Sequence, residues 1–178
     1  MSRPRGAADS LASFLEALRR LFDAFGRVIV AAAGLLLVVL VVALTWMVFG
    51  RYVLNDTPTW VERAAQLAIL WVVLPAAAVG VRERFHMAVE LGPSSLPPRL
   101  RGAVASAVDL ALFGLGVLMA VWGWVLVETY RPFRIPLLGL SQGLQFAPVA
   151  IAGVLTCLFS AEALARRVVG LPPIAAAG

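Results

Sequence analysis

Four stretches of this chain stay free of charge for longer than a soluble helix needs, and polar collars bound them. Val28 to Gly50 is a 23-residue run without a charged side chain, and Ala64 to Val81 is an 18-residue one. Gly102 to Val127 is broken only by Asp109, and Ile135 to Ala161 is uncharged throughout. Eighteen helical residues rise about 27 Å, close to the roughly 30 Å of a bilayer's hydrocarbon core. Each run therefore predicts a spanning helix. The last contains Pro136 and the polar pair Ser141-Gln142, so its helix is expected to begin near Leu144. The pattern predicts an all-α membrane protein with spans at about 28–50, 61–81, 103–127 and 144–165. These make a four-helix transmembrane domain over 28–167, with residues 1–27 before it and a short tail, 168–178, after it.

The stretch before the first span carries a different pattern. From Asp9 to Arg27, Leu11, Phe14, Leu15, Leu18, Phe22 and Phe25 recur at helical spacing, while Glu16, Arg19, Arg20, Asp23 and Arg27 fill the other faces. That is an amphipathic helix, expected to lie in the membrane interface, after an irregular start over residues 1–8. The alternative is a helical extension of the first span. Between the spans, the loop Arg51 to Thr59 holds Asn55-Asp56 and Pro58. The central loop runs from Arg82 to Arg101 with three prolines, and the connector Glu128 to Gly143 holds Pro132, Pro136 and Gly139. Thr59 and Glu62 have the spacing of a capping box at the start of the second span.

Composition agrees with the spans. Apolar residues make up 61% of the chain and charged residues 14%, against about 45–50% and about 25% in soluble domains. All 15 basic residues are Arg. Five precede the first span, four lie in the central loop and two in the tail, whereas Arg51, Arg63, Arg131 and Arg134 occupy the other two loops. Eleven against four predicts both termini and the central loop in the cytoplasm of a multi-pass protein of the bacterial inner membrane. The net charge of +5 thus points to topology and contact with membrane lipids, not to nucleic acid. The first apolar run starts too late and is too long for a cleavable signal peptide. The single cysteine, Cys157, excludes an intrachain disulfide and a cysteine zinc site.

A few polar residues stand out against this apolar background. Trp60 and Glu62 open the second span, either as an interfacial anchor with a helix-capping acid or as groups that contact a neighbouring helix or subunit. Arg51 is an intrachain candidate to pair with Glu62, and Gln66 extends the same face one turn on. Arg82, Arg84 and His86 close the other end of that span. One histidine cannot build a bis-His haem or an all-His metal site, so His86 reads as a wet loop residue or a contact. Asp109 lies inside the third span, where an acid costs on the order of 2.5–3.5 kcal/mol to insert; it is either functional or paired with an Arg at the span's end. Gly116 with Ala120, and Gly153 with Cys157, have the four-residue spacing that lets helices approach closely.

No nucleophile–base pair, phosphate-binding glycine loop, metal cluster, cofactor motif or internal repeat is present, so the chain reads as non-enzymatic. The order of its features resembles the small membrane subunit (Q, DctQ-type) of tripartite ATP-independent periplasmic (TRAP) transporters. The similarity covers about residues 25–167. It is most specific in Arg51, then Trp60-Val61-Glu62, the apolar span, and Arg82-x-Arg84-Phe85-His86-Met87-x-Val89-Glu90, which follow the family's W-x-E-E, helix, R-x-x-x-H pattern. Pro136-Leu-Leu-Gly-Leu-Ser141, with Pro148 downstream, resembles the connector before the family's last helix. Arg63 departs from the pattern by standing at the second acid of W-x-E-E, leaving Glu62 to act alone.

The resemblance implies a scaffold subunit of a sodium-driven secondary transporter for organic acids. Its partners would be a large multi-span TRAP membrane subunit and a periplasmic substrate-binding protein, with Arg51, Glu62 and Arg84 as polar contacts. Two other readings remain at this point: a small subunit of a tripartite tricarboxylate transporter, with similar hydropathy, and a self-associating channel lined by Asp109.

Overall fold

The structure, a computed structural model, describes the backbone of residues 5–90 and 98–169, and the side chains of residues 16–82, 103–104 and 106–167. The tail from residue 170 lies outside the described residues, as do the side chains of Arg84 and His86. Four helices make up the fold: α1, Arg5–Phe49; α2, Trp60–Glu90; α3, Pro98–Tyr130; and α4, Gly143–Val169. Each contains a segment long and apolar enough to cross a membrane.

The amphipathic segment and the first span are one helix, which begins within the stretch read as an irregular start. They meet at Arg27 and Val28 with no proline nearby to interrupt the backbone ladder, so α1 runs through for 45 residues. It ends in a π-helical turn, Gly50–Leu54, closed by Asn55 in the left-handed conformation (φ 53°). There the N–H of Asp56 donates to the Gly50 carbonyl at 3.1 Å. A Cβ at Gly50 would lie 2.8 Å from the Asp56 carbonyl oxygen, so the turn needs glycine. The central loop is also shorter than the charge pattern predicts. Helix α2 runs on to Glu90 and α3 starts at Pro98, a first-turn position where the missing N–H costs nothing.

The helices pack in a row. Helix α3 lies against α4, α4 against α2, and α2 against α1, with a smaller α1–α4 contact. From Phe22 into the π-turn, Phe22, Gly26, Ile29, Ala33, Leu36, Leu40, Ala43, Met47 and Gly50 are less exposed, with Asp23 and Leu44 beside them. Their spacing alternates between four and three, the 3.5-residue repeat of a single left-handed packing seam. The rest of α1 faces outward: 6% of its most apolar stretch is buried, against 44% in α4 at the centre of the row.

Close approach, not burial from water, holds the α3–α4 pair, because lipid tails are as apolar as leucine. Gly116, Ala120 and Gly123 of α3 face Ala150, Gly153 and Cys157 of α4. A methyl on Gly116 would sit 2.8 Å from the Cys157 nitrogen, and one on Gly123 would sit 2.7 Å from the Ala150 nitrogen. The two pairs singled out by their spacing are thus the two sides of one interface. Ala78, Val79, Ala152, Leu155 and Phe159 form the central cluster where α2 meets α4, and Phe22 of α1 packs against it.

Candidate functional site

The polar groups gather at the two ends of the row. The far end holds the π-turn, the start of α2 and the connector before α4. Val61 is buried there, its N–H donating to the Pro58 carbonyl at 3.0 Å, while its neighbours Trp60 and Glu62 face outward. Arg51 is exposed too, and among the described residues neither it nor Glu62 has an ion-pair partner. The structure does not bring these two together. Gln66 is exposed and accepts a hydrogen bond from Arg63 at 3.2 Å.

Arg63 turns toward the connector, not toward Glu62. It lines a cavity of about 230 Å³ with Gln66, Ile135, Gln142 and Gln145. The connector forming the other wall is a tight hairpin. The N–H of Ile135 donates to the Leu140 carbonyl at 2.7 Å, and the Arg134 guanidinium donates to the Gly139 carbonyl at 2.8 Å. Gly139 and Leu137 supply the left-handed backbone of its tip, with φ of 67° and 71°. Ser141 ties the hairpin to α4 by donating to the Arg131 carbonyl and accepting from the Gly143 N–H. The Trp71 indole N–H reaches across from α2 to the Leu144 carbonyl at 3.1 Å.

The opposite, charged end is an ionic clamp that draws on every helix. The Arg82 guanidinium of α2 contacts Asp23 of α1 at 2.7 Å and Glu162 of α4 at 3.5 Å. It also lies over the rings of Phe22 and Phe159, at 5.8 and 5.2 Å from their centroids, and those rings meet edge to face at 5.5 Å. Arg166 of α4 contacts Glu16 at 3.3 Å and Glu162 at 3.8 Å. Arg19 touches both Glu16 and Asp23. Three guanidinium groups thus face three carboxylates. A planar, weakly hydrated guanidinium can serve two carboxylates and an aromatic face together, which an ammonium does poorly. The Glu162 side chain is 0% exposed, and such a carboxylate is tolerable only with cations on it. Helix α3 joins through Asp109, whose carboxylate meets the Arg167 side-chain Nε at 2.7 Å.

Asp109 is therefore level with the end of α4, and it is only 1% exposed. Of the residues picked out by sequence, Arg82 and Asp109 fall in this clamp and its α3 extension, whereas Arg51, Trp60, Glu62 and Gln66 sit apart at the far end. Sequence reasoning did not pick out Glu16, Arg19, Asp23, Glu162, Arg166 and Arg167 as members. A signal was present: Glu162 ends an uncharged run, a place where a lone acid needs a partner. Among the described residues no group of three metal-binding side chains occurs.

Four apolar helices, tied together at one end by buried charges, define a multi-pass membrane protein. The chain belongs to the family described as tripartite ATP-independent periplasmic transporters, DctQ component, whose model matches residues 40–170. It is 24% identical to the sialic acid TRAP transporter small permease protein SiaQ of Vibrio cholerae over 141 residues, 79% of each chain. It is 27% identical to the C4-dicarboxylate TRAP transporter small permease protein DctQ of the same organism. That similarity spans 95 residues, 51% of this chain and 40% of the relative.

Proposed function

We propose that this chain is the non-catalytic scaffold subunit of a sodium-driven TRAP transporter for an organic acid. In this reading it sits in the bacterial inner membrane with both termini in the cytoplasm and binds the large membrane subunit. Its far end, bearing Trp60, Glu62 and Arg51, faces the periplasm and helps to dock the substrate-binding protein. Sialic acid and C4-dicarboxylates, named in the relatives, are both carboxylates, which supports an organic acid as the cargo.

The observation that carries the proposal is the row itself. Internal packing engages one seam of α1 and one of α3, so each helix leaves most of its apolar surface for another molecule. An elevator-type carrier needs a fixed wall beside its moving part, and a row locked by an ionic clamp at one end and a glycine interface along one side has that rigidity. The channel reading loses its basis, because Asp109 is closed against Arg167.

Reconstitution tests the proposal. Proteoliposomes holding this chain alone should show no organic-acid flux under a sodium gradient. Those holding the chain, the large subunit and the binding protein should accumulate substrate. Flux by this chain alone, or full uptake without it, would contradict the scaffold role.

A further inference from the structure

Two acids of the first helix, Glu16 and Asp23, are spent at the charged end. Glu16 meets Arg19 and Arg166, and Asp23 meets Arg19 and Arg82. Arg20 and Arg27 each stand four residues after one of those acids, the spacing of an intrahelical pair. Neither makes an ion pair among the described residues, and both are exposed. Arg27 donates one N–H to the Asp23 carbonyl at 3.4 Å, leaving the rest of its fork free.

Seven residues apart, Arg20 and Arg27 project from one stripe of α1 at about 10 Å from each other. The stripe alongside is apolar: Leu21, Phe25 and Val28 are 64%, 50% and 64% exposed, at the four-then-three spacing of one face. Phe22, Gly26 and Ile29 form the face docked on the bundle. Glu16, Arg19 and Asp23 are taken up by the charged end, while Arg20, Arg27 and the bulky apolar groups are left outside. The segment runs without a break into the span that starts at Val28, so its outer face lies where hydrocarbon gives way to head groups.

We propose that this outer face binds anionic phospholipid, Arg20 and Arg27 each taking a head-group phosphate while Leu21, Phe25 and Val28 seat in the upper acyl region. A purely apolar protein partner would strip water from two guanidinium groups and return nothing. A lipid surface supplies phosphates above an apolar layer, and long arginine side chains can reach up to them from two levels of the helix while the apolar groups beside them stay among the chains. The inference goes beyond the transporter reading and requires only that the chain spans a membrane.

Native mass spectrometry of the full-length chain, titrated with phosphatidylglycerol or with phosphatidylcholine, tests it. The wild-type chain should retain phosphatidylglycerol preferentially. Arg20→Gln with Arg27→Gln should cut that preference by about fivefold per arginine, and Arg20→Lys with Arg27→Lys should keep most of it. Circular dichroism of the Gln variant, unchanged in helix content, separates loss of a contact from loss of the helix. Equal retention of the two lipids by the wild type would overturn the proposal, as would an undiminished preference in the Gln variant. It would equally be overturned if the Gln variant kept its lipid preference but lost the large subunit on co-purification, since the face would then be a protein contact.

Discussion

Arg82 joins α1, α2 and α4 through one guanidinium, which touches Asp23, Glu162 and the rings of Phe22 and Phe159. Replacing a buried pair with apolar side chains is often nearly neutral, but removing one partner leaves a charge uncompensated. Arg82→Ala should therefore cost about 3–5 kcal/mol, read as a lowered unfolding temperature of the detergent-solubilised chain. A loss no larger than that of the exposed Arg63→Ala would show the clamp to be incidental. For Asp109 and Arg167, a double-mutant cycle should return a coupling of about 0.5–3 kcal/mol, and no coupling would mean the 2.7 Å contact is not a working pair. Glu62 should behave in the opposite way. It has no ion-pair partner among the described residues, so Glu62→Ala should leave stability within about 0.5 kcal/mol yet weaken co-purification with the large subunit. Glu128→Ala, which removes an exposed acid paired with Arg131, should leave assembly intact; equal behaviour of the two variants would reduce Glu62 to a helix cap.

At the scale of elements, the glycine interface gives the clearest contrast. Gly153 faces α3 backbone, with the Gly116 carbonyl oxygen 2.8 Å from where a Cβ would stand, while Gly114 has nothing within 4 Å. Gly153→Leu should destabilise the folded chain by about 2 kcal/mol or more, and Gly114→Leu should not; thermal unfolding in the same detergent separates them, and similar curves would refute the α3–α4 packing. The run lengths made the four spans legible, and the small-residue spacing pointed to Gly116, Ala120, Gly153 and Cys157. Two things were not legible. Continuity of α1 depends on the absence of a breaker between Asp23 and Val28, and an amphipathic pattern looks the same whether it lies in the interface or packs on neighbours. The clamp joins Asp23, Arg82 and Glu162, residues far apart in sequence. Spacing along one helix shows the Glu162–Arg166 pair but not which other helix delivers Arg82 to it.

For the whole molecule, the row order α1–α2–α4–α3 decides what is left to bind. Helix α4 sits in the interior, and α1 and α3 form the two edges, each apolar and largely unpacked. One edge against a partner subunit and the other against lipid would account for both. That arrangement is part of the proposal; the two unpacked edges themselves are what the packing shows. The most direct test is co-expression with a candidate large TRAP membrane subunit, followed by purification through a tag on this chain in mild detergent. The account predicts that the two proteins elute as one complex of fixed stoichiometry; independent migration under every condition that keeps each of them folded would contradict it.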